Sequence, residues 1–254
     1  VKGLSSESLT VLEIDADGRV VGDRVLGFRF ADTIEPDDQW SSKHGMLALV
    51  NTPGLARLRA DLDADAGRLA IHLDRELLVE DDLDAAGRER ISAAVGEYAR
   101  QLPTSAVGDG DDRAGRLPLR LVGDGVTPRH QDDPDPTVTL HSRASLHALG
   151  GRLDDAGLDE VRFRSNIVID GVDAWSELAW LGGRIRIGRL TATVTRAKVR
   201  CLATHVNPAT GERDRSVLKT LVQGFGQDEP TFAVALRFDG PGRIEVGDPV
   251  EPTD

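Results

Sequence analysis

Apolar and polar positions alternate with a period of two through most of this chain, and helical spacing appears in only a few places. Residues 8–14 read as a strand that runs into the turn Asp15-Ala16-Asp17-Gly18. Residues 20–30 read as a second strand, followed by a polar loop over 32–44 and an apolar run over 46–50. The segment 53–60 reads as helical, with Thr52 as N-cap and Pro53 in the first turn. A strand is expected over 69–73 and a long helix over 84–102, where Ile91, Val95 and Tyr98 fall on one stripe. Residues 103–136 are rich in turn formers, with a flexible stretch over 105–116 and a short apolar segment over 117–122. Beyond them the pattern predicts a strand over 137–140 and a helix over 143–150 capped by Ser142. It then predicts strands over 166–170 and 184–195, the latter broken at Gly188, and a short helix over 216–222. Segments 231–238 and 243–246 read as a closing β pair. Many strands with few helices predict a mainly β, α+β fold: barrel-like sheets with peripheral helices.

Composition narrows the function. The chain has 254 residues, enough for one large domain or two modest ones. Aromatics make up 4% against 39% hydrophobic residues, so the core must rest on aliphatic side chains. The formal net charge of −12 argues against nucleic acid or anionic membranes as partners. No apolar run reaches the length of a membrane span, and a single cysteine fits a reducing, cytoplasmic setting.

That cysteine, Cys201, is the chemical focus. Thr191, Thr193, Thr195 and Val199 precede it with strand character, and Val206-Asn207-Pro208-Ala209-Thr210-Gly211 follows as a turn. In a strand Arg196, Lys198 and Arg200 project to one face, and Cys201 to the other with Val199 and Ala197. Neighbouring positive charge favours a thiolate, the form that ligates metal. By itself a single cysteine is more often a small buried hydrophobe, and no zinc-ligand spacing surrounds this one. His44, His130, His141 and His205 have no ligand spacing, and Glu212 and Asp214 read first as loop carboxylates.

Three ordered segments carry a resemblance: Phe163-Arg164-Ser165-Asn166 and the residues to Gly171, Arg200-Cys201 with the turn to Arg215, and Gly242 to Val250. They resemble the MOSC family, related to the C-terminal domain of molybdenum cofactor sulfurase, and in particular its two-part members that include the amidoxime reducers. The start of the chain and residues 22–28 match more loosely. The resemblance implies an N-terminal β-barrel-like domain over 1–120 and a MOSC β-barrel over 121–254. It implies molybdenum held by a pterin dithiolene, with Cys201 as the metal ligand and catalytic residue. Lys2, Arg24, Arg164, Asn166 and Arg200 are implied as cofactor-binding residues, because phosphate binding needs donors and positive charge. The implied activity is reduction of N-hydroxylated small molecules. One cysteine excludes a four-cysteine cluster and no dinucleotide fingerprint is visible, so electrons are expected from a separate flavin or iron–sulfur protein. The alternative is a sulfur relay or cofactor carrier in which Cys201 bears a persulfide. Two departures stand out. Gly3 replaces a serine found in some members, and Pro134-Asp135-Pro136-Thr137 stands where the amidoxime reducers have a Thr-Ser pair.

Overall fold

The computed structural model describes residues 1–37, 39–40, 42–108 and 115–253. Among them the strands are β1 (Val11–Ile14), β2 (Gly27–Arg29), β3 (Leu58–Asp63), β4 (Arg68–Leu73), β5 (Glu76–Asp82), β6 (Arg120–Val122), β7 (Val138–Ser142), β8 (Ile167–Ile169), β9 (Arg184–Ile187), β10 (Leu190–Val199), β11 (Thr231–Phe238), β12 (Gly242–Glu245) and β13 (Val250–Thr253). The helices are α1 (Ala85–Gln101), α2 (Arg143–Arg152), α3 (Ser176–Ala179) and α4 (Val217–Lys219). This is the expected α+β fold, mostly strands with a barrel-like sheet. Among the described residues no helix is long and apolar enough to cross a membrane.

The chain divides into two compact units that exchange segments. Unit 1 holds Val1–Ser6, Gly22–Pro134 and Val206–Arg213; unit 2 holds Glu7–Val21, Asp135–His205 and Asp214–Asp254.

In unit 1 the antiparallel meander β3-β4-β5 and the pair β2-β6 are joined by α1. Helix α1 forms as its sequence predicts. Asp84 caps it by accepting from the Gly87 amide, Ile91 and Val95 are fully buried, and the Tyr98 hydroxyl donates to the Gly54 carbonyl. Two expectations fail here. The strand expected over 20–30 breaks at Gly22 and Arg24, both at positive φ, and only β2 remains ladder-paired. The helix expected over 53–60 is a 3-10 turn, Pro53–Arg57, that gives way to β3; the Thr52 hydroxyl accepts from the Ala106 amide instead of capping it. Part of the loop expected to be flexible, 109–114, lies outside the described residues.

In unit 2 a six-stranded sheet, ordered β13-β9-β10-β11-β7-β8, curls into a half-barrel. Its pairs are antiparallel except β7 with β8. Val138, Leu140, Ile185, Ile187, Val194, Val234 and Leu236 fill its concave core. The break foreseen at Gly188 is the β9–β10 turn. The closing β pair is not formed: β11 lies between β10 and β7, and β12 pairs with β1 across almost the whole sequence. Such a long-range register leaves no local signal. Helix α2 begins directly after β7, with Ser142 accepting from the Ser145 amide as expected.

Candidate functional site

Strand β10 leads to the candidate thiol, but with a geometry that simple alternation does not give. Its register against β11 shifts twice, between Val194 and Arg196 and again between Ala197 and Val199. Each bulge resets the faces, so the alternation expected for Arg196, Lys198, Arg200 and Cys201 does not hold. Cys201 lies past the end of the strand, half-buried, at the entrance to a 3-10 turn, Leu202–His205. Its carbonyl accepts from both the amide and the hydroxyl of Thr204, each at 3.0 Å.

Arg200 is held from three sides. Its amide donates to Pro230, its Nε donates to the Phe232 carbonyl at 2.7 Å, and its guanidinium sits 5.7 Å from the Phe163 ring centroid. Phe163 and Phe232 stack at 4.0 Å, with His141 5.2 Å from Phe232. Arg164 ends the 3-10 turn Glu160–Phe163 in the left-handed region, at φ 50°. Asn166 faces Thr139: its Oδ1 accepts from both the Thr139 amide and hydroxyl, while its own amide donates to that hydroxyl. Thus unit 2 brings Cys201, Arg200, Phe163 and the segment Arg164–Asn166 into one neighbourhood, and part of the Asn166 side chain ties β7 to the start of β8.

Lys2 and Arg24 are placed in unit 1. Lys2 is 3% exposed, and its ammonium donates to the His130 carbonyl at 2.8 Å and to Asp132 Oδ1 at 2.7 Å. Arg24, at φ 52°, donates to Asp23 Oδ2 at 2.6 Å. Burial alone would raise the Asp132 carboxyl, but the charges of Lys2, Arg24 and Lys43 hold it well below the usual carboxylate range. Both cations are thus already paired with carboxylates of the chain itself. Gly3 follows Lys2 at φ +84°, and a Cβ there would come within 3.1 Å of the Leu47 carbonyl oxygen. The left-handed backbone here favours glycine over serine.

Several contributing residues carried no sequence signal. Arg162 is 5% exposed and forms a two-pronged ion pair with Asp214, at 2.8 and 3.0 Å. Glu177 is fully buried and accepts from the Ser142 amide, the Ser142 hydroxyl and the Ser145 hydroxyl at 3.0–3.2 Å. His130 and His141 are fully buried, and among the described residues neither ring nitrogen of either has a hydrogen-bond partner. Among the described residues no group of three or more His, Cys, Asp or Glu side chains could by itself hold a metal ion.

The two histidines make acid stability predictable. Burial, with Arg200 and Arg143 adding, pushes His141 down to about 3; burial, then Lys2, Arg29 and Arg129, pushes His130 to about 4. Both fold neutral. Above the ordinary value of 6.5 neither state binds the proton, so they add no pH dependence there. Below it the unfolded chain is protonated first, and stability falls until the folded values are reached, at about 1.4 kcal/mol per pH unit per histidine. Each should cost about 2 kcal/mol at pH 5. Urea unfolding at pH 7 and pH 5 should show His141→Leu losing less stability than wild type; equal losses would refute the assignment.

A family model for the MOSC domain matches residues 127–251. Mitochondrial amidoxime-reducing component 1 of Mus musculus is 36% identical over 128 residues, which cover 46% of this chain and 36% of that protein. The same component of Homo sapiens is 32% identical over 142 residues, 51% of this chain and 41% of that protein. Molybdenum cofactor sulfurase of Caenorhabditis briggsae is 32% identical over 136 residues, 52% of this chain and 18% of that protein. The matched stretches thus span well under half the length of these relatives.

Proposed function

The chain is a MOSC-domain protein similar to the mitochondrial amidoxime-reducing components, and on that premise we propose that it is a molybdenum-cofactor-dependent reductase of N-hydroxylated compounds. The observation that carries the reading is the half-buried Cys201, past the end of β10 and directly after an Arg200 whose guanidinium is fixed on the Phe232 carbonyl. A thiolate is a soft ligand suited to molybdenum. The two cations of unit 1 also fit: they already hold carboxylates, and a phosphate would displace Asp132 from Lys2. When bound, the cofactor supplies two-electron oxygen-atom chemistry.

The chain's own residues have separate tasks in this reading. Cys201 ligates the metal and is the catalytic residue. Lys2 and Arg24 bind phosphate. Arg164, Asn166 and Arg200 supply donors to the rest of the cofactor. In sequence terms residues 1–120 are read as the MOSC-associated N-terminal domain and 121–254 as the MOSC domain, with 7–21, 121–134 and 206–213 traded between the compact units across that boundary. Electrons come from a separate flavin or iron–sulfur protein, in a reducing cytoplasm that keeps Cys201 as a thiol.

The test is an anaerobic product assay with protein made in a host competent for the cofactor. A reduced viologen dye should support conversion of an amidoxime to the amidine, and NADH alone should not. Turnover with NADH alone would reveal an overlooked redox route. No molybdenum-dependent turnover with any donor, together with cyanide-releasable sulfur on Cys201, would favour a sulfur relay.

A further inference from the structure

Arg162 is a buried cation that no sequence motif singled out, and it grips the cysteine-bearing segment. It projects from the 3-10 turn Glu160–Phe163, whose start is fixed by Asp159 accepting from the Val161 amide. Its Nη1 donates to the His205 carbonyl at 3.1 Å and lies 2.8 Å from Asp214 Oδ1, and its Nη2 donates to Asp214 Oδ2 at 3.0 Å. The Asp214 amide donates to the same His205 carbonyl. His205 and Asp214 are the points at which the chain leaves unit 2 and returns to it, since 206–213 belongs to unit 1. One guanidinium therefore closes both ends of that excursion.

The grip reaches Cys201 through a short path. Only the turn Leu202–His205 separates the two. Thr204 ties the turn to the Cys201 carbonyl at one end, and Arg162 with Asp214 ties it at the His205 carbonyl. The turn also packs against Glu160–Phe163 and against α4, where the Leu218 amide donates to His205 Nε2. We infer that Arg162 is the positioning residue for Cys201, holding the thiol-bearing segment in place through the His205 carbonyl and Asp214. The inference rests on Cys201 being the functional thiol, and on nothing about the bound group. A fork with two parallel donors is needed: a lysine ammonium keeps the charge but not the planar two-point contact.

The experiment measures the rate of iodoacetamide alkylation of Cys201 in full-length, metal-free protein well below the melting temperature. Wild type, Arg162→Ala, Arg162→Lys and Asp214→Asn are compared, with Glu177→Ala as a destabilised control whose substitution lies outside the Cys201 segment. Loss of the grip lets the segment open locally, so the Arg162 variants should alkylate at least about tenfold faster. Asp214→Asn should fall between them and wild type, and the control within about twofold of wild type. If Arg162→Ala fails to fold, Arg162→Lys and Asp214→Asn carry the test. Rates that follow melting temperature across all variants, control included, would reduce Arg162 to a stabilising ion pair and overturn the inference. Arg162 and Asp214 variants that alkylate at the wild-type rate would do the same. Molybdenum content of wild-type protein, measured separately, reports on the cofactor reading alone. Its absence beside a faster Arg162→Lys would leave the positioning role standing.

Discussion

Cys201→Ser should remove bound molybdenum and turnover together while leaving the fold intact. The substitution replaces a soft thiolate by a hydroxyl that stays protonated and is a poor ligand for such a metal. The local structure does not depend on the sulfur: the turn after Cys201 is closed through its carbonyl, by Thr204. The side chain is half-buried and belongs neither to the sheet core of unit 2 nor to the cluster around Phe163, Phe232 and Leu221, so stability should shift by about 0.5 kcal/mol or less. Elemental analysis of protein from a cofactor-producing host should show molybdenum lowered at least about tenfold, a difference of at least about 1.4 kcal/mol in retention. Turnover should fall to background, with an unchanged circular dichroism spectrum. A serine protein that kept its metal and its rate would remove Cys201 from the site, and the candidate ligand would have to be sought elsewhere.

What could be read in the sequence follows the range of the interactions involved. Helix α1 was legible because its stripe, Ile91, Val95 and Tyr98, lies within a few residues; the Asp84 cap emerged only with the structure. Ser142 was legible as a cap for the same reason. The β1–β12 pair was not, because its partners are separated by most of the chain. Arg24 in a left-handed conformation was invisible, since nothing in an arginine's chemistry favours positive φ. At the candidate site, ordered motifs pointed to Arg164, Asn166, Arg200 and Cys201, which unit 2 gathers. The sequence misjudged how β10 leads into Arg200 and Cys201, because two register shifts intervene. Arg162 and Arg164 look alike in the sequence. The 3-10 turn ending at Phe163 sends the first inward to Asp214 and leaves the second at the turn's exit.

The largest loss of stability should follow Glu177→Ala. Glu177 sits on α3 with its carboxylate fully buried at the start of α2. It accepts from the Ser142 amide and from the hydroxyls of Ser142 and Ser145, and Ser145 in turn accepts from the Trp175 amide at 2.7 Å. Negative charge at a helix N-terminus is favourable in itself. More important, the three donors have no water to turn to once the carboxylate is gone. The two hydroxyls lie 2.8 Å apart and can still bond to each other, so part of the network survives. The Ser142 amide loses its acceptor outright. With about 1–3 kcal/mol for each buried donor left unsatisfied, the expected cost is about 3 kcal/mol. In a chain of this size that corresponds to a melting temperature lower by about 6–12 °C. Glu177→Gln keeps one acceptor oxygen and lets a serine hydroxyl turn to accept from the new amide, so its loss should be about half as large. Thermal unfolding at pH 7 of the two variants beside wild type is the measurement. An alanine variant that melts within about 2 °C of wild type would mean that the carboxylate does not anchor α2.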